Sequence, residues 1–205
     1  MTKNFQVVQG VSVPNLNDIY ESYSITTINN YSKIIVNVSA ENITDLFLCL
    51  VELITLPGFL VLEHGTNQKV EQKLRKKKYD PLHKDVFYLD GLTLVDLKHI
   101  FSEYKELLVN DGEINFGFGS HEKTEEIYIG PYKVFYIYCE NTRKFEDLLQ
   151  HNNIKKVDKV KTVWSNFSKK TPGRREVIEV NGINIYEMIK KLKQQGLYLA
   201  ERRED

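Results

Sequence analysis

INFGFGSHEKTEEIYIGPYKVFYIY, residues 114–138, decides the fold. INFGFGS reads as one strand, and EEIYIGPYKVFYIY as a hairpin or bulged strand around Gly130-Pro131. No helix separates them, whereas parallel neighbours need a long crossover. The class is therefore α+β, with a mixed or antiparallel sheet and helices on one face. Ile114, Phe116 and Phe118 alternate, so one side of that strand enters the core. Gly117 and Gly119 fall on the other side, where they let a neighbour approach closely.

Upstream, Thr93 and Asp96 form a capping-box pattern, and Leu94, Leu97, Ile100, Phe101, Tyr104, Leu107 and Leu108 trace one apolar helix face. Asn110-Asp111-Gly112 stops that helix. Before it lie a strand in DVFYLDG (85–91), a solvated basic segment in KVEQKLRKKKYDPLHK (69–84) and a central strand in GFLVLEHG (58–65). Earlier still come a largely buried helix in NITDLFLCLVELIT, with Asn42 as its N-cap, and a strand in YSKIIVNVS (31–39). Downstream, a helix from Thr142 to Gln150 buries Phe145, Leu148 and Leu149. KTVWSNF reads as a strand, SKKTPGRRE as a loop, EVIEVNG as a strand or half-hairpin, and NIYEMIKKLKQQG as a helix closed by Gly196. The terminal ERRED is expected to fray. Residues 31–119 and, overlapping them, 85–166 both parse as ferredoxin-like split β-α-β units.

The 28 basic and 28 acidic side chains balance over the chain but not along it. Residues 1–150 carry 15 Lys/Arg against 21 Asp/Glu, and residues 151–205 carry 13 against 7. The organisation expected is one domain, 1–205, with an acidic body (1–150) and a basic C-terminal α/β extension (151–205) packed on it. Cys49 and Cys139 sit in apolar runs and read as buried free thiols of a reducing compartment, the cytoplasm. LFLCLVELITLPGFLVL (46–62) contains Glu52 and is broken by Pro57-Gly58, so no membrane span is expected.

VFYLDGL (86–92) and NFGFG (115–119), with DLKHIFSEYKEL between them, resemble the signature strands and first helix of an RNA recognition motif. In that family the aromatic signature lies on a central strand and opens with a basic residue. Here the Gly-Phe-Gly strand follows the first helix, in the position of an edge strand, and reads Glu113-Ile114 where the basic residue belongs. Carboxylates at Glu122, Glu125 and Glu126 would repel a phosphate backbone. A nucleic-acid reading falls instead on the basic C-terminal segment, through Trp164, Lys169, Lys170, Arg174 and Arg175. The glycines do not form a phosphate loop, because a strand and not a helix follows them.

None of the five histidines has a metal-site spacing. His99 and Glu103 share a helix face, and His121-Glu122 lies at a turn without an implied nucleophile. No catalytic residue, cofactor or metal is assigned, and an enzyme with dispersed site residues ranks third. The leading expectation is a non-enzymatic protein-binding module, of the inhibitor, antitoxin or immunity kind, whose partner is another protein with a basic surface. Its face would be acidic and aromatic: Glu122, Glu125, Glu126, Tyr128, Tyr132 and Tyr136.

Overall fold

Phe47 joins the layers of the molecule: its ring lies 5.0 Å from Phe101 and 5.1 Å from Phe116, so two helices and a strand meet at one side chain. The computed structural model describes residues 4–204. In chain order its elements are β1 (Val11–Ser12), β2 (Ser22–Ile28), β3 (Tyr31–Asn37), α1 (Ile43–Val51), β4 (Gly58–Gly65), α2 (Gln68–Leu74), β5 (His83–Leu92) and α3 (Leu94–Asn110). They continue with β6 (Asn115–Ser120), β7 (Glu125–Ile129), β8 (Phe135–Cys139), α4 (Arg143–His151), β9 (Lys155–Lys156), β10 (Arg174–Arg175), α5 (Ile185–Lys193) and β11 (Tyr198–Glu204).

Nine strands form one sheet in the order β11-β5-β4-β6-β7-β8-β3-β2-β9, and β1 pairs separately with β10. Every neighbouring pair in the large sheet is antiparallel except β2 with β9, so the sheet is mixed and the class α+β. α1 packs between α3 and α4, and α3 against α5. These four helices bury Leu50, Phe101, Phe145 and Met188 in the same core as Ile34, Leu62, Phe116, Phe118 and Ile137 of the sheet. The Thr93–Asp96 capping box is formed in full, and none of the described helices is long and apolar enough to cross a membrane.

Several expectations need correction. The glycine-containing β6 is central, not an edge, because β4 inserts between it and β5. Thus β5-α3-β6 is a single split unit, but three strands separate β3 from β4, so the wider ferredoxin-like parses do not close. Asn42 does not cap α1 through its side chain, which donates to Glu21 instead. Cys49 is exposed on α1 while Cys139 is buried. Residues Val163–Asn166 of KTVWSNF form a short 3-10 turn; Trp164 within it and Phe167 just after it pack on Tyr132. The C-terminal residues through Glu204 are ordered as β11: Arg202 forks onto Asp85 at 2.6 and 3.0 Å, and Arg203 pairs with Glu63.

A buried node fixes the lower end of α3. The Asp111 carboxylate accepts from the backbone N–H groups of Glu113, Ile114 and Ile178 at 2.8–2.9 Å. Beside it, buried Lys133 donates to the carbonyls of Leu108 and Ile114, each at 2.8 Å. The Leu108 carbonyl, left orphaned where the helix ends, thus gains a donor from a hairpin turn. Burial lowers the Lys133 ammonium to about 7, against the opposing pull of Asp111.

Candidate partner-binding face

Strand pleating separates two faces, and Phe116 and Phe118 of β6 point toward the helices. Asn115, Gly117 and Gly119 therefore belong to the opposite face, and the strand register extends that face in rows. One row runs Phe59, Gly119, Glu126, Tyr138, Lys33 across β4, β6, β7, β8 and β3. The next runs Tyr88, Val61, Gly117, Tyr128, Tyr136, Ile35 from β5 to β3. A third places Glu63 between Val86 and Asn115.

The helices that build the core lie on the other side, so this face presents its side chains outward. Its rings nevertheless shield one another. Phe59 lies 5.4 Å from Tyr88 and 5.2 Å from the His121 ring, Tyr128 lies 6.4 Å from Tyr136, and Tyr31 lies 6.2 Å from Tyr138. Lys33 extends its ammonium over Tyr136 at 4.6 Å and Tyr138 at 5.7 Å. Between these rings Val61 and Val86 are buried without joining the helix-side core.

The two acidic residues near the centre of this face behave differently. Glu63 is buried, accepts from Asn115 at 3.1 Å and pairs with Lys84 at 3.4 Å and with Arg203. Burial opposes its ionisation, but Lys84, Arg203 and Asn115 outweigh that and hold its pKa below the ordinary carboxylate value. Glu126 is half-buried between the Gly119 and Tyr138 positions and makes neither a hydrogen bond nor an ion pair with the described residues. Burial alone raises its pKa. Burial also raises the hydroxyl pKa of Tyr128 and Tyr136, keeping both as neutral donors.

Of the residues singled out in the sequence, Glu126, Tyr128 and Tyr136 come together here. Glu125 faces the helices, where its carboxylate binds Lys144 at 2.6 Å and the Thr55 N–H at 2.9 Å. Glu122 lies on the exposed turn between β6 and β7, its N–H donating to Ser120 Oγ. Tyr132 sits away from the rows, at φ 57°, packed against Trp164 and Phe167 at 5.1 and 5.0 Å. Phe59, Tyr88, Tyr138 and Lys33 complete the face, and none was among the site residues selected from the sequence. For Tyr138 the signal was present in the alternation of KVFYIY; for Phe59, Tyr88 and Lys33 it appears only in the register.

The basic segment is less uniform. Trp164 is 45% exposed, and Lys169, Lys170 and Arg174 are exposed. Arg175 is half-buried, 3.7 Å from Glu113 and stacked over Tyr132. Lys156 pairs with Glu146, and Lys161 with Asp18. Elsewhere His121 Nε2 lies 3.2 Å from Asp90, which also accepts from the Tyr198 hydroxyl at 2.6 Å. Among the described residues no group of three His, Cys, Asp or Glu side chains is placed to hold a metal ion. No known protein family, curated protein or solved structure matches the chain.

Proposed function

We propose that the chain is a protein-binding module, and that the helix-free sheet face docks a partner that presents a lysine or arginine to Glu126. The observation that supports this is the state of Glu126, a carboxylate held among aromatic rings with no ion pair among the described residues. Burying an unpaired charge costs free energy that a cation from outside would recover. Phe59, over Gly119, and Tyr138 flank that position on either side, so an arriving cation also meets ring faces. The neighbouring tyrosines supply large contact area at low entropic cost, as interface cores do. An inhibitor, antitoxin or immunity-type protein acting in the cytoplasm, where thiols such as Cys49 and Cys139 stay free, fits this chemistry.

The test is a titration of the isotope-labelled chain with a short arginine-containing peptide, read by amide shifts. Saturable shifts at Gly117, Gly119, Glu126 and Tyr138 that vanish in Glu126→Gln support the proposal. Shifts confined to residues 164–175, or unchanged by the substitution, count against it. In the alternative, nucleic acid binds the basic segment, and a short oligonucleotide would shift Trp164, Lys169 and Lys170 while sparing β7.

A further inference from the structure

We infer a second site, for a phosphate-bearing ligand, in the cleft between α2, the loop after it and the first turn of α5. The cleft is lined by Gln72, Arg75, Lys76, Lys78, Leu82 and Tyr186, among others. The chain leaves α2 at Arg75 in an extended conformation and turns back on itself at Asp80. Asp80 is spent within the loop, its carboxylate accepting the Lys76 and Lys77 N–H groups at 2.9 and 2.8 Å. Glu71, the other carboxylate here, is turned onto His83, accepting its backbone N–H at 2.6 Å with the ring nitrogen at 3.2 Å. No ion pair joins Arg75, Lys76, Lys77 or Lys78 to any described residue, and these four positive charges outnumber the two carboxylates, Glu71 and Asp80, around one concave surface. Their clustering makes the cleft a local source of positive potential.

A second observation concerns a donor. Arg75 Nε is buried and has no acceptor among the described residues, although the guanidinium also donates to the Lys78 carbonyl. A buried donor without a partner is rare, and the guanidinium that carries it belongs to a residue lining the cleft. Planar guanidinium with neighbouring ammonium groups suits phosphate oxygens. Part of the wall is not ionic: Leu82 is 53% and Tyr186 39% exposed, and Gln72 offers an amide. A bare anion would leave that wall unused. The chemistry therefore fits a phosphate ester or diphosphate carrying an apolar or ring portion, whether a soluble nucleotide or the headgroup of an anionic lipid.

The experiment uses the full chain and isothermal titration with inorganic pyrophosphate, then adenosine diphosphate, then vesicles of phosphatidylcholine with phosphatidylserine. The inference expects saturable pyrophosphate binding that weakens with salt, and a loss of about tenfold or more in Lys76→Gln/Lys78→Gln, equivalent to one charge-assisted contact. Tighter binding of adenosine diphosphate than of pyrophosphate identifies a soluble ligand; vesicle binding that the variant loses identifies a lipid surface. Both positions are exposed, so the variant should keep the wild-type unfolding midpoint. Absence of saturable binding to all three probes, or equal binding by the variant, overturns the inference. The outcome is independent of Glu126, which lies on another face.

Discussion

Gly119 on β6 stands directly opposite Glu126 on β7, and the ring of Phe59 fills the space above Gly119 that a side chain would occupy. A Cβ there would fall 2.4 Å from Phe59 Cζ. Gly119→Ala should therefore displace a ring end and spare the backbone, costing about 1–3 kcal/mol as small-to-large changes do. A fall in the denaturation midpoint together with weaker binding of the arginine peptide is expected. A variant with wild-type stability and wild-type binding would show that Phe59 does not shape the site.

Glu126 makes a second prediction, in pH. Its folded pKa is raised above the unfolded value, so the native state binds the proton more tightly and stability falls as pH rises between the two. Glu126→Gln should be more stable than the parent at pH 7, and that advantage should disappear below about pH 4, near the unfolded glutamate pKa. Paired urea melts at the two pH values measure this. A variant less stable at pH 7 would mean that the carboxylate has an internal partner.

Lys133 titrates in the opposite sense. Its folded pKa, about 7, lies below that of a free lysine, so the ammonium form costs stability below neutrality and the cost shrinks as pH rises toward 10. A neutral amine still has two hydrogens for the Leu108 and Ile114 carbonyls. Lys133→Met leaves both acceptors unmet, at roughly 1–3 kcal/mol each. The destabilisation should be larger at pH 9 than at pH 6; a difference that is flat with pH would show that the charge carries no burial cost.

The last strand is held by carboxylates of the acidic body. Burial works against ionisation of Asp85, but the hydrogen bonds from Arg202 and Thr66 outweigh it and lower its pKa. Its contribution to stability is thus present above the unfolded carboxyl pKa and is lost as pH falls through the depressed folded value. Arg202→Ala should cost about 1.5–3 kcal/mol at pH 7, the range for hydrogen bonds to charged groups. Faster hydrogen exchange across the β5–β11 ladder should accompany it. Unchanged exchange there would mean that β11 docks without this fork.

Regions of the fold differ in how far the sequence revealed them. The alternation in INFGFGS was enough to send Phe116 and Phe118 inward, because burial on one face leaves a period of two that needs no knowledge of neighbours. Thr93 and Asp96 wrote the start of α3 for the same reason: a cap is local. β11 could not be read, since YLAERRE is charged at most of its later positions and becomes a strand through partners 117 and 140 residues away. β2 was missed as well; SYSITTI lacks an uninterrupted apolar face and is fixed by its hairpin with β3 through Asn29, at φ 49°. The site shows the same division. Glu125 and Glu126 are adjacent and chemically identical, and only the pleat assigns one to Lys144 and the other to the helix-free face.

Docking of a basic partner on this face through Glu126 is decided by comparing two charge reversals of the full chain in nuclease-treated lysate of its own cells. Glu126→Lys places a cation where the partner's cation should sit; Lys169→Glu with Arg174→Glu alters the basic segment alone. One discrete protein should be captured by the wild type and by the basic-segment variant and lost at least tenfold with Glu126→Lys, the loss expected when a buried charge pair is broken. Capture that survives Glu126→Lys, or that fails only when residues 169 and 174 are reversed, would contradict it.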